Sequence, residues 1–181
     1  MQFAYVDGAL REPASTGGRA VCPCCGCEVV AKCGVKIVRH WAHRRDDCDP
    51  WAEPESEWHR FWKSSAAPPE RREVVLGGHR ADAVLASGVV VEVQKSRLSP
   101  KEIHERESFY TSAAAGLVWV IDRPLVERTM HKAMTCPVIV AGPAGPAAWF
   151  RPYGEEWGDC YVERIGACAQ RLWDAHAAKA P

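Results

Sequence analysis

Asp82 and Glu92 are the residues whose type and spacing point most directly to chemistry. They lie in Arg80-Ala81-Asp82-Ala83-Val84 and Val91-Glu92-Val93-Gln94-Lys95-Ser96, two stretches separated by the turn Ala86-Ser87-Gly88. Read as adjacent strands, they alternate faces. Glu92, Gln94 and Ser96 share one side, and Val91, Val93 and Lys95 take the other. A carboxylate among alanines and valines needs a partner, a metal or an exposed strand end. Two such acids on neighbouring strands can hold a hard divalent cation, Mg²⁺ or Mn²⁺. A polar neighbour, Gln94, can orient a water, which completes the minimum set for metal-dependent phosphodiester hydrolysis. The competing account is simple salt bridging, to Arg80 or Lys95.

Glu57, in Glu55-Ser56-Glu57-Trp58-His59-Arg60, is the third candidate acid. A helix is expected from about Glu53 to Ser64, with Trp58, Phe61 and Trp62 at helical spacing. On that helix Glu53 and Glu57 are i,i+4 neighbours. An acid projecting from it could complete the metal shell, or the glutamates could merely favour a helix N-terminus. His59, Arg80, Ser96, Arg106 and Tyr110 are the candidate nucleic-acid contacts. Arg106 and Tyr110 are i,i+4 on a later helix, where they brace the site or form an ordinary helix surface with one core tyrosine.

A second chemistry is written in the cysteines. Cys22-Pro23-Cys24-Cys25-Gly26-Cys27 holds two overlapping C-x-x-C pairs, followed by His40-Trp41-Ala42-His43. Cys22 with Cys25 is the favoured pair, because the proline and glycine suit a tight knuckle. Cys24 with Cys27 competes, and Cys33 and Cys48 are spare. Two thiolates and two imidazoles, here Cys22, Cys25, His40 and His43, make a closed structural Zn²⁺ site with no open catalytic position. The rival account is a set of buried free thiols acting as small apolar residues.

These residues need a scaffold. Strands are expected at about 72–76, 80–86 and 89–95, with Gly77-Gly78 as a turn. Ser99-Pro100 opens a helix that reaches about Ala115, and Leu117–Ile121 is a short apolar strand. The order is αβββαβ, an α/β core with both acids central. Before it, Phe3–Val6 reads as a strand continuing toward Leu10, and residues 21–50 as a Cys/His-rich module. After it, strands near 137–141 and 147–151 and a helix at about 160–178 are expected. The division is a zinc module at 1–50, a core at 51–124 and an extension at 125–181 whose Trp149, Phe150, Trp157 and Trp173 pack on the core.

Taken in order, the motifs resemble the competence protein CoiA-like family of the PD-(D/E)XK nuclease superfamily. The likeness covers about residues 20–122. It rests on Cys-Pro-x-Cys at 22–25, His-Trp-Ala-His at 40–43, Glu-Ser-Glu-Trp-His at 55–59 and Arg-Ala-Asp at 80–82. Glu-Val-Gln-Lys-Ser at 92–96, Glu-Arg-x-x-x-Tyr at 105–110 and Val-Trp-Val-Ile at 118–121 complete it. The resemblance implies a restriction-endonuclease-like core, with Asp82 and Glu92 at the metal positions. Gln94 stands where most of the superfamily has lysine, so an amide replaces a charge that would stabilise the attacking hydroxide.

The 181 residues are enough for one domain with an appendage, and 23 basic residues balance 23 acidic ones. Local charge is uneven. Lys32, Lys36, Arg39, Arg44 and Arg45 precede the core, and Arg60, Lys63, Arg71 and Arg72 follow, as phosphate contacts or as a solvated face. No apolar run nears a membrane span, and no signal peptide is expected. Five of nine cysteines fall between Cys22 and Cys33, which favours metal in a reducing compartment and a cytoplasmic location. The expected activity is a Mg²⁺- or Mn²⁺-dependent deoxyribonuclease, in DNA processing, competence, recombination or defence; single-stranded, branched and duplex DNA, and RNA, all stay open as substrates. A helicase or recombination partner and a homodimer are left open. The alternatives are a non-catalytic DNA-binding protein with the same fold and a zinc-stabilised interaction module.

Overall fold

The computed structural model describes residues 1–44, 48–127, 130–141, 147–150, 158–160 and 165–178. It is a mixed α/β structure with two sheets. The first is antiparallel, built from β1 (Ala4–Val6), β2 (Ala9–Arg11), β3 (Arg19–Val21), β4 (Glu28–Lys32) and β5 (His40–His43) in the order β2-β1-β3-β4-β5. The single strand expected up to Leu10 is in fact a hairpin. Asp7 and Gly8, both at positive φ (49° and 77°), form its two-residue turn.

The second half follows the expected element order. Helix α1 spans Glu57–Ala66, then β6 (Arg72–Leu76), β7 (His79–Val84), β8 (Val89–Gln94), α2 (Pro100–Ala113) and β9 (Gly116–Asp122). After a short α3 (Arg123–Glu127) come β10 (Val138–Ala141), β11 (Ala147–Phe150), β12 (Gly158–Cys160) and α4 (Ile165–Ala177). The seven strands β6–β12 form one sheet, ordered β12-β11-β10-β9-β8-β7-β6. β9 runs parallel to β8 and β10, while β7 pairs antiparallel with both β6 and β8.

Helix starts follow local chemistry. Ser56 caps α1 by accepting from the His59 backbone N–H at 3.3 Å, so the helix opens at Glu57 and not near Glu53. Ser99 and Glu102 form a reciprocal capping box on α2, with Pro100 in its first turn. All six residues of β8 are buried, because helices cover both faces of the sheet. Val91, Val93, Val118 and Val120 pack with Trp62 of α1 and Leu172 of α4. Val90, Leu117, Trp119 and Ile121 pack with Ile103 and Tyr110 of α2. Gly116 is where α4 presses on the sheet, since a Cβ there would lie 2.1 Å from the Trp173 ring. Trp157 and the side chains of Trp149 and Phe150 lie outside the described residues. No helix among the described residues is long and apolar enough to cross a membrane.

Candidate metal centres

The β7–β8 ladder pairs Ala83 with Val91 and Val84 with Val90. At the next position side chains take over from backbone. Asp82 N–H donates to Glu92 Oε1 at 3.1 Å, and the Asp82 carboxylate accepts Val93 N–H at 2.9 Å. The two acids are thus held together by the strands that carry them. Glu92 is buried. Burial first, then the neighbouring Asp82 charge, push its carboxyl up to about 8, against the pull of Arg106 at 3.9 Å.

Three elements close around the pair. From α1, the buried Lys63 ammonium contacts Glu55 at 2.9 Å, Glu73 at 3.0 Å and Asp82 at 3.8 Å. Burial opposes that charge, but the Glu73, Asp82 and Glu55 carboxylates outweigh it and raise the Lys63 pKa. From α2, Arg106 donates to Gln94 Oε1 at 3.3 Å and to the Trp51 carbonyl at 3.1 Å. The Tyr110 hydroxyl bonds Glu92, and burial together with that carboxylate raises the phenol pKa. From the segment before α1, Glu53 accepts N–H groups from Lys95 (3.1 Å) and Ser96 (2.9 Å), the Ser96 hydroxyl and the Gln94 amide. Burial resists ionisation of Glu53, yet these bonds and His59 Nε2 at 2.8 Å lower its pKa to about 2.

The cavity enclosed by these groups measures about 20 Å³, room for one water or one ion. Glu53, Glu55, Glu73, Asp82 and Glu92 line it, against Lys63, Arg80 and Arg106. Five carboxylates thus face three cations; with the Glu92 carboxyl raised to about 8, the lining keeps a proton on Glu92 at neutral pH, and a divalent cation could take that proton's place. Glu73 adds a strained feature, a non-glycine residue at φ 54° where the ladder between the Arg72–Ala83 and Val74–Ala81 pairs is interrupted. Its carboxylate is also the joint between the two sheets, accepting Gln2 N–H and Phe3 N–H.

Several expected roles change. Glu57 is exposed in the first turn of α1 and does not line the cavity. With Ser56 as the cap, Glu53 precedes the helix and folds back to the end of β8. His59 is buried with both ring nitrogens engaged, Nδ1 with Ser56 Oγ at 2.7 Å and Nε2 with Glu53, so it holds Glu53 and is not presented to a phosphate. Gln94 is likewise committed on both ends of its amide, to Glu53 and Ser96 O on one side and Arg106 on the other. Arg80 lines the cavity and its backbone N–H bonds Asp49. Ser96 binds Glu53, while Arg106 and Tyr110 brace Glu92. Lys63, grouped by its position in sequence with the basic surface, is buried in the centre of the acids. The spacing Ser56-x-x-His59 was the available sign that α1 begins late; nothing in the local sequence marks Glu73 or Lys63.

The second centre lies at the base of the first sheet. Cys22, Cys25, His43 and Cys48 bring their ligand atoms within 4.8 Å of one another. Cys22 Sγ and Cys48 Sγ are 3.7 Å apart, close to the edge of about 3.8 Å in a tetrahedron with Zn–S bonds of ~2.3 Å. Cys25 Sγ lies 3.3 Å from His43 Nε2. Three sulfurs and one imidazole suit Zn²⁺, so the cluster can hold such a metal. His40 is not part of it. His40 and His43 sit on strand β5, where residues three apart face opposite sides, and His40 Nδ1 bonds the Val38 carbonyl at 2.8 Å. Cys48, one of the spare thiols, takes the fourth corner. Cys24 bonds the Gly78 carbonyl instead, which leaves Cys22 and Cys25 as the knuckle pair. Cys168, remote in sequence, is disulfide-bonded, a state that a reducing compartment does not favour.

A strap joins the two centres. Immediately after Cys48, Asp49 accepts from His79 Nδ1 (2.9 Å), Trp51 N–H (3.0 Å) and Arg80 N–H (2.8 Å). Trp51 stacks on His79 with ring centroids 3.4 Å apart, and Glu53 follows two residues later. No protein-family model, curated protein or solved structure matches this chain.

Proposed function

We propose that the chain is a divalent-cation-dependent nuclease with a restriction-endonuclease-like core, of the kind the CoiA-like resemblance implies, and that DNA is its substrate. The observation that carries this reading is the closure of Asp82 and Glu92 on one cavity of about 20 Å³ lined by five carboxylates against three cations. A hydrophobic core does not gain from such a cluster, because an unbalanced buried carboxylate is costly.

Asp82 and Glu92 would hold Mg²⁺ or Mn²⁺, with Glu53 adjacent. The bound cation supplies a water of lowered pKa and neutralises charge on the scissile phosphate. The chain's own groups do the rest. Asp82 is half-buried in the cavity lining, the more exposed acid of the pair. Arg106 and Tyr110 fix Glu92 in place, so its carboxylate does not rotate away. Lys63 puts a positive charge 3.8 Å from Asp82, on a different element from Gln94. Gln94 and His59 lock Glu53. The zinc cluster anchors the strap that delivers Glu53.

The test is cleavage of labelled single- and double-stranded DNA with Mg²⁺, Mn²⁺ or EDTA. Cleavage that requires the cation and is lost in both Asp82→Ala and Glu92→Ala supports the reading. Cleavage that persists in both variants, or in EDTA, sinks it. A DNA-binding protein without activity is the second reading, favoured by the full commitment of the Gln94 amide. Tight binding without cutting, indifferent to Glu92→Ala, would establish it.

A further inference from the structure

A groove outside the acid cavity combines basic side chains with an aromatic ring. It runs between the β4–β5 connection and the N-terminal half of α1, with a volume of about 680 Å³. That volume falls in the range of roughly 300–1,000 Å³ that holds one small organic ligand, the scale of one or two nucleotide units and not of a duplex. Lys36 and Arg39 line one wall, Trp58 and Arg60 the other, and Lys95 the end. Lys95 Nζ lies 5.9 Å from the centre of the half-buried Trp58 ring.

Four cations therefore face two carboxylates, Glu55 and Glu57, in this lining. Glu55 is already neutralised by Lys63 at 2.9 Å and flanked by Arg60 at 3.9 Å, which leaves the wall net positive. At the lip, Val35 is fully exposed and Ile37 is 62% exposed, apolar surface next to charge. The groove also reaches the acids. Glu55 lines both spaces, and Lys95 follows Gln94 directly, its N–H bonded to Glu53.

Resting on the nuclease reading above, we infer that this groove is the track for a single strand of nucleic acid. Lys36, Arg39, Arg60 and Lys95 take the phosphates, a base lies against the Trp58 ring, and the strand leads toward Asp82. Charge complementarity and an aromatic face in one narrow cleft are what sequence-independent single-strand binding requires. The volume matches one or two nucleotide units beside an aromatic and cationic wall, so the substrate class is a single-stranded or locally opened nucleic acid.

The experiment is fluorescence anisotropy with a labelled twelve-nucleotide oligothymidine in EDTA, where cutting cannot occur. The wild type should bind it more tightly than a hairpin duplex of equal charge. Lys36→Ala/Arg39→Ala should flatten the dependence of log affinity on log salt by about 1.4, since each lost phosphate contact on a single strand removes about 0.7. Lys36→Glu/Arg39→Glu should weaken binding at least tenfold, with an unchanged melting temperature showing that the fold is intact. Trp58→Phe, which keeps packing, should lose less than Trp58→Leu. An unchanged salt slope, a preference for duplex, or no binding by the wild type overturns the track. Asp82→Ala keeps the two readings apart: it should bind the oligonucleotide at least as well as wild type while losing Mn²⁺-dependent cleavage. If it still cleaves, the acid-site reading fails while the track stands on its binding data.

Discussion

Gln94 joins Glu53 to Arg106: its amide nitrogen donates to the Glu53 carboxylate, and its carbonyl oxygen accepts from Arg106 Nη1 at 3.3 Å. A lysine at this position has no acceptor to offer, and its ammonium would stand against a buried guanidinium. Gln94→Lys is therefore expected to lower stability and to leave cleavage no faster than wild type. Gln94→Ala removes one of five groups bonded to Glu53 and the acceptor of Arg106, and should weaken Mn²⁺ binding about 10-fold, the low end of the usual cost of removing a group that orients a metal site. Titration calorimetry and denaturant melts check both. Faster cleavage by Gln94→Lys would show that the amide is a deficit and not a bridge.

The cysteine cluster yields a prediction about ligand identity. Native mass spectrometry of the protein should find one zinc per chain. Cys48→Ser and His43→Ala should lose it, and His40→Ala should keep it, because His40 faces the other side of β5. Zinc loss should also weaken Mn²⁺ binding at the acid cavity, since Cys48 anchors the strap on which Asp49, Trp51 and Glu53 are placed. Full retention of Mn²⁺ affinity in a zinc-free Cys48→Ser protein would uncouple the two centres.

Glu92 sets a pH dependence of unusual sign. Its pKa in the fold, about 8, lies above the ordinary carboxyl value of 4.5, so between these limits the folded state holds more protons than the unfolded state. Without divalent cation, stability should fall as pH rises from about 5 through 8. Mn²⁺ should reverse the loss near pH 8, because it takes the place of the proton. Glu53 works in the opposite sense and lower down: its stabilisation is present above pH 4.5 and is lost as pH falls toward 2. Melting temperatures across pH 5–9 in EDTA and in Mn²⁺ test this, with Glu92→Gln expected to flatten the upper limb. A rising limb in EDTA that Glu92→Gln leaves unchanged would contradict the assignment.

The order of elements around Asp82 and Glu92 was legible because their signals are local. Gly77-Gly78 and Ala86-Ser87-Gly88 punctuate the strands, and Ser99-Pro100 announces α2. The pairing of the two acids followed from strand alternation alone. What stayed hidden depends on contacts distant in sequence. Glu53 reaches Ser96 across 43 positions, and Glu73 reaches Gln2 across 71. The assignment of Glu57 failed because a run of three glutamates looks alike until the cap at Ser56 is recognised. His40 failed for a different reason: its spacing from His43 suits a helix or loop, and the chain there is a strand.

Lys63 offers the sharpest test of how the acid cavity is held. Its ammonium is 3.0 Å from Glu73, 2.9 Å from Glu55 and 3.8 Å from Asp82, with the side chain only 3% exposed. Removing one partner of a buried ionic set leaves uncompensated charge, at a cost of about 3–5 kcal/mol. Lys63→Met should therefore destabilise the protein by about that amount in urea titration, with the slope against denaturant unchanged. Adding Glu73→Gln to Lys63→Met should recover part of the loss, because the second change removes a carboxylate that the first left unpaired. Strict additivity of the two substitutions would mean that Lys63 and Glu73 do not act as a pair. Lys63→Arg keeps the charge but not the volume, and it should retain more Mn²⁺-dependent cleavage than Lys63→Met at matched folded fraction. Equal cleavage by the two variants would confine Lys63 to a structural role.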